Sequence, residues 1–300
     1  MFDAYPDYER LLASAQLALA MLGMGAVLAP RDFVGVVRSP RALGIGLALQ
    51  HVAVPLLASF VGVLLPLPAG IAAGLVLVAS VPGGTMSNVF TSLGRGNIAL
   101  SISLTAVTTV GSLLTTPALL RLLVGTHLPA DFEMPTGRIA LEIGAILLAP
   151  LAAGMLIGAR LPGHRDAFSR WCIRASLAVI LVMVAGAGGS GRLDPGSYGA
   201  LAPVAIVLLA FVFQQAAYAA CRLGGLEMRD RLAIAIEVTV RNTNLAILVK
   251  ASLFPATATP DPIGDGMFFV ALLYGGAALL VAALPVALGR RQLPTPHSPS

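Results

Sequence analysis

A glutamate and an arginine stand four residues apart, at Glu237 and Arg241, inside an apolar run long enough to cross a bilayer. Ionisable side chains are costly in hydrocarbon, and those that persist there mark functional sites by default. The other apolar runs add few polar residues. Those that stand out are Gln50 and His51, then Thr85, Ser87 and Asn88, then Ser101, Ser103, Thr105, Thr108, Thr109 and Ser112, with Thr239, Asn242, Thr243 and Asn244 beside the charged pair. Together they make an oxygen-rich set with one carboxylate, the chemistry that suits a hard cation such as Na+. Glu237 needs a cation to stay charged, and two are open to it: Arg241 in a fixed pair that holds the local shape, or a bound Na+. Ser101 and Thr105 share one helix face at i and i+4, and Thr108 and Ser112 continue the stripe. Such hydroxyls also bond back to the carbonyl one turn earlier, and His51 fits helix packing better than a proton relay. The sequence contains no HExxH, P-loop, nucleophile triad or Cys/His metal spacing, which counts against an intramembrane enzyme and a nucleotide-driven pump.

The elements that must position these residues are membrane helices. The 300 residues are 57% hydrophobic and 11% charged, with a mean hydropathy of +0.88, whereas soluble chains carry about 25% charged residues. Apolar runs of about 20 residues predict nine spans, near 11–29, 41–64, 69–92, 97–122, 138–159, 170–189, 199–221, 231–252 and 266–288. Thirteen of the 19 Lys and Arg residues fall in loops on one side, five on the other, and the last is Arg241. This positive-inside bias explains the net charge of +5 without nucleic acid. It places the N-terminus outside and the C-terminus in the cytoplasm, as an odd number of spans requires. Residues 1–10 read as an extracytoplasmic N-terminus too acidic for a signal peptide, 11–289 as one membrane domain, and 290–300 as a disordered cytoplasmic tail. Cys172 and Cys221 read as buried small residues, and glycines such as Gly23 and Gly25 as close helix packing.

Two spans are interrupted, at Pro82 to Asn88 and at Glu237 to Asn244. Unwound chain is tolerated at membrane depth only around a cavity, an ion or a solute, and paired breaks point to a secondary transporter's binding site. The third and eighth spans run antiparallel, as inverted repeats divided near the loop 123–137 would make them.

The run Val81-Pro-Gly-Gly-Thr-Met-Ser-Asn88, with Leu93-Gly-Arg-Gly-Asn-Ile-Ala-Leu-Ser-Ile-Ser-Leu-Thr105 and Thr115-Thr-Pro117, resembles the bile acid:sodium symporter family. Ile236-Glu-Val238, Asn242 and Leu245-Ala246 are similar to that family's second break, and the likeness runs from Gly23-Met-Gly25 through the ninth span. The resemblance implies an all-α polytopic membrane protein of inverted repeats, with two discontinuous crossing helices. A panel of spans 1, 5 and 6 would lie against a core of spans 2–4 and 7–9, in a nine-helix bacterial version of the fold. It implies a first sodium site on Ser87, Asn88, Ser101, Thr105 and Glu237. A second would use Gln50, Glu237, the carbonyls of Val238 and Val240, and the side chain at 241. The family's residue there is Gln, an oxygen ligand; here it is Arg241, whose guanidinium is permanently charged and accepts no hydrogen bond. Either Arg241 replaces the second sodium, or it turns into the cavity to clamp a carboxylate. Solute contacts would fall on Thr85, Asn88, Asn242, Thr243 and Asn244. Asn244 stands where relatives carry Gly, which favours a small organic anion, pantoate-like or a keto acid, over a steroid. The expected function is Na+-coupled symport of such an anion across the inner (plasma) membrane by alternating access. The alternatives are a Na+-independent carrier, proton-coupled or uniport, and a non-transporting receptor on the same fold. Na+, the solute and the lipid bilayer are the implied partners, with no obligate protein partner.

Overall fold

The computed structural model describes residues 5–29, 39–125, 128, 132–190, 195–255 and 261–293, with the backbone alone at Pro6, Thr85 and Pro195. Arg31, Arg38 and Arg192, counted above in the charge bias, lie outside the described residues, as do residues 126–127 and 129–131 of the loop between the expected halves.

The described chain is helical almost throughout. Among the described residues seven helices are long and apolar enough to cross a membrane: α1 (Tyr5–Val27), α2 (Pro40–Leu64), α5 (Ile98–Leu123), α6 (Thr136–Arg160), α7 (Arg165–Gly189), α8 (Leu201–Leu223) and α11 (Pro262–Gln292). Two further pairs of short helices are each separated by a short break, α3 (Ala69–Ser80) from α4 (Thr85–Leu93), and α9 (Met228–Thr239) from α10 (Thr243–Leu253). The protein is an all-α polytopic membrane protein. Its boundaries differ from the sequence expectation at both ends. The first helix already begins at Tyr5, so most of the expected N-terminal arm is helical, and α11 runs to Gln292, with 294–300 outside the described residues.

The broken helices occupy the middle of the bundle. Residues 70–80 of α3, 232–239 of α9 and 245–253 of α10 are buried on every face, as expected for helices that are apolar all round. The intact helices enclose them: α11 packs along α3, and α8 packs along α9 and α11. α1 packs along α6 and α7, and meets the central group mainly at α10. Small residues carry the closest of these approaches. A Cβ at Gly158 would lie 2.0 Å from the Ala26 carbonyl oxygen, and one at Gly154 would lie 2.3 Å from that of Leu22.

The first break follows from its residues. Pro82 has no N–H and its ring excludes the helical carbonyl before it, and Val81, as the residue preceding proline, is extended (φ −86°, ψ 155°). The second contains neither Gly nor Pro. There Val240 leaves the helix (φ −88°, ψ 90°), and Asn242 starts the next one as its N-cap, its Oδ1 accepting from the Leu245 N–H at 3.1 Å.

Proline also shapes α2. Residues Leu49–Ala53 form a π-turn just before Pro55, in which the Val54 N–H reaches back to the Leu49 carbonyl. That skips the Gln50 carbonyl, whose next donor in the π register would be the absent N–H of Pro55. A similar π-turn, Ile143–Leu148, precedes Pro150 in α6.

Candidate site at the crossed breaks

The two breaks meet as a single antiparallel bridge between Gly83 and Arg241. The Gly84 N–H donates to the Val240 carbonyl and the Asn242 N–H to the Pro82 carbonyl, both at 2.8 Å. Each unwound segment thereby satisfies the other's backbone, a need that lipid cannot meet. The approach is close enough to require glycine. A Cβ on Gly83 would stand 2.0 Å from Glu237 Oε1, and one on Gly84 would stand 2.9 Å from the Arg241 carbonyl.

Glu237, in the last turn of α9, is completely buried. Three hydroxyls converge on it. Thr105 Oγ1 donates to Oε1 at 2.7 Å, Ser101 Oγ donates to Oε2 at 3.2 Å, and Ser87 Oγ donates to Oε2 as well. Asn88 joins through its Oδ1, which lies 2.8 Å from Ser101 Oγ and 3.4 Å from Thr105 Oγ1. Ser87 and Asn88 come from the first turn of α4, Ser101 and Thr105 from one face of α5. The Asn97 side chain caps α5 and also donates to Asp230 Oδ1 at 2.8 Å, tying the start of α5 to the start of α9. Thr91, which the sequence did not single out, donates to Ser101 at 3.2 Å. The rest of the α5 stripe turns inward on its own helix: Thr108 bonds the Leu104 carbonyl at 2.8 Å and Ser112 that of Thr109 at 2.7 Å.

Arg241 does not pair with Glu237; among the described residues no ion pair joins them. Its guanidinium points to the end of α3, donating to the Ala79 carbonyl at 2.5 Å and the Val78 carbonyl at 3.4 Å. It also donates to Gln50 Oε1 at 3.1 Å and lies 3.5 Å from the Gln50 carbonyl that the π-turn leaves over. Carbonyls at a helix C-terminus carry partial negative charge and favour a cation. Gln50 Oε1 also accepts from the Gly83 N–H at 3.1 Å, so one side chain joins both breaks to α2.

The remaining expected positions are dispersed around this centre. The Val240 carbonyl is taken by Gly84, and Val238 is buried within α9. Asn242 uses its Oδ1 as a helix cap. Thr243 is half-buried against Gly275, and the Asn244 carbonyl accepts from Gln16 of α1 at 3.2 Å. The side chain of Thr85 lies outside the described residues. His51 is half-buried beside the site.

Glu237 with Ser87, Asn88, Ser101 and Thr105 offers carboxylate, hydroxyl and amide oxygens from three helices at one dry point. Rotation of the hydroxyl hydrogens turns lone pairs toward a bound ion, so the donor set fits a hard monovalent cation. The N-termini of α4 and α10 bring positive dipole ends to the same crossing, which suits an anion beside it.

Comparison with known proteins agrees with this architecture. Residues 15–190 match the model of the Sodium Bile acid symporter family. The chain is 32% identical over 254 residues to the probable sodium/metabolite cotransporter BASS1, chloroplastic, of Arabidopsis thaliana, an alignment covering 83% of this chain and 62% of that protein. It is 32% identical over 255 residues to the uncharacterized sodium-dependent transporter YocS of Bacillus subtilis (strain 168), covering 82% and 76%. With the probable cotransporter BASS2, chloroplastic, of Oryza sativa subsp. japonica it shares 28% over 277 residues, covering 91% and 64%. The chain therefore spans less than two thirds of the length of BASS1 and BASS2. With both broken helices, the crossing and the match over residues 15–190, the chain belongs to the sodium bile acid symporter family, a family of membrane transporters and not of enzymes.

Proposed function

We propose that the protein couples the movement of Na+ to uptake of a small organic anion across a plasma membrane, with its N-terminus outside. The observation that carries this reading is the convergence of Ser87, Ser101 and Thr105 on the buried Glu237, with Asn88 behind them. Na+ held by these five residues neutralises Glu237 and fixes α4, α5 and α9 to one another. The fixed crossing then presents Thr85, Asn88, Asn242, Thr243 and Asn244 to the solute, so each ligand favours the state that binds the other. Names given to relatives, sodium/metabolite cotransporter and sodium-dependent transporter, agree with this coupling. A panel of α1, α6 and α7 moving against a core of α2–α5 and α8–α11, arranged as inverted repeats, supplies alternating access.

Arg241 takes the place of a second ion in this reading. Its charge sits against Gln50 and the Val78 and Ala79 carbonyls, an oxygen set that would otherwise serve a cation. It faces these groups instead of reaching out as a clamp for a solute carboxylate. A Na+ placed about 4 Å from it would be repelled by about 4 kcal/mol even at an effective dielectric of 20. One Na+ per cycle is therefore expected. The test is a Na+ titration of uptake in proteoliposomes for the wild type and Arg241→Gln. The wild type should respond with a Hill slope near one, and the variant, with an oxygen ligand restored, should become steeper. A steep two-ion response already present in the wild type refutes the surrogate, and uptake indifferent to Na+ refutes coupling.

A further inference from the structure

Charged residues that the crossing does not use gather at the end of the bundle where α1 begins and α10 ends. Lys250 Nζ lies 2.5 Å from Glu9 Oε1, with side chains only 1% and 2% exposed. Beside them Arg10 Nη2 lies 2.5 Å from Glu142 Oε1, Arg138 Nε donates to the same oxygen at 3.2 Å, and Ser252 Oγ donates to Glu142 Oε2. One face of α1 continues this line inward, from Glu9 through the buried Ala13 to Gln16, which bonds the Asn244 carbonyl. Glu9, Arg10 and Gln16 belong to α1, and Arg138 and Glu142 to α6. Lys250, Ser252 and Asn244 all belong to α10.

The packing of the rest of the bundle is lopsided in the same sense. The second half of α6 (Ala149–Arg160) and all of α7 pack on α1, and among the described residues make no comparable packing with α4 or α9 at the other end.

We infer that the Glu9–Lys250 pair and the Arg10/Arg138–Glu142–Ser252 cluster form the outer gate of the transporter. They hold α1 and α6 against α10 while the opposite end is parted, and they separate when the site opens on their side. The inference rests on the alternating-access reading above. As a static brace, a buried ion pair is a poor device, since apolar packing of the same volume does as well or better. As a contact that must be dry in one state and wet in the other, it is apt. Its Coulomb attraction in the closed state is set against the hydration that both charges regain on opening, so the two states stay near balance. Interfaces of this bistable kind are the elements through which transporters and allosteric proteins switch.

The test uses the full chain in sealed vesicles, with Cys172 and Cys221 replaced by Ser and a reporter made by Ala13→Cys. Ala13 lies one turn beneath Glu9 and is sealed from solvent. With the gate intact, a membrane-impermeant thiol reagent on the side of the N-terminus should label the reporter slowly. Lys250→Met, which keeps the length and removes the charge, should speed labelling by roughly tenfold, as should the milder Arg10→Gln. Exchanging the pair (Glu9→Lys with Lys250→Glu) should slow it again. If both single variants lower the melting temperature and leave labelling unchanged, the cluster only braces the fold and the gate is refuted. Na+ dependence of uptake in the same vesicles reports separately on coupling: its absence would overturn the coupling reading and leave the labelling result standing.

Discussion

Replacing Gly83 by alanine adds a single methyl group at the tightest point of the crossing. That carbon would stand 2.0 Å from Glu237 Oε1 and 2.6 Å from its Cδ, whereas ordinary contact begins near 3.4 Å, so about 1.4 Å of separation has to be found. There are two ways to find it. Glu237 can retreat, which breaks its 2.7 Å bond with Thr105. Alternatively the first break can back away, which parts the Gly84–Val240 and Asn242–Pro82 backbone bonds. A charge-assisted bond contributes about 1.5–3 kcal/mol and a backbone bond about 1 kcal/mol, so either route costs about 2–3 kcal/mol. Spent on the proposed ion site, that loss should weaken Na+ binding by about 30- to 150-fold. Purified protein titrated with Na+ and followed by its melting temperature gives both stability and affinity. Gly111→Ala is the matched control, since a Cβ there meets nothing within 4 Å, and alanine within a helix is favoured over glycine by up to about 1 kcal/mol. Wild-type stability and wild-type Na+ response in Gly83→Ala would refute the close approach of Gly83 to Glu237.

Two further substitutions probe how the site is held. Asn97→Ala removes both the cap of α5 and the bond to Asp230, and should lower stability by about 1–2 kcal/mol in a thermal melt. Gly158→Val places carbon about 2 Å from the Ala26 carbonyl oxygen. Because backbone and not a movable side chain lies opposite, α1 and α6 should be forced apart, with loss of folded, monodisperse protein in size-exclusion chromatography.

Much of the centre was legible because its chemistry is local. Pro82-Gly83-Gly84 announces a break wherever it falls, and a carboxylate with hydroxyls at helical spacing announces a polar site in an apolar run. The back-bonding of Thr108 and Ser112 was also open to reading, since Ser and Thr in a membrane helix have that carbonyl within reach. The partner of Arg241 was not. Its position depends on α3 ending where it does and on a π-turn that frees the Gln50 carbonyl, both consequences of prolines distant in sequence. The pairing of Glu9 with Lys250 could not be read from the sequence, because only the packing of α1 on α10 brings them together and buries them. Gln16 did carry a signal that went unused: it is an amide in the middle of the first span, where any polar group asks for a partner.

The bridge between the breaks also bears on how the protein can be made. Chains are synthesised from the N-terminus, and the Pro82 carbonyl and the Gly84 N–H find their partners only on residues 242 and 240. When α3 and α4 emerge, the segment that completes them has yet to be translated, with α5 and the helices up to α9 still to come. Hydrocarbon cannot stand in for it, so the first break must wait where water reaches. The proposed Na+ site is therefore among the last parts of the membrane domain that can close, and neither half of the chain holds a finished one.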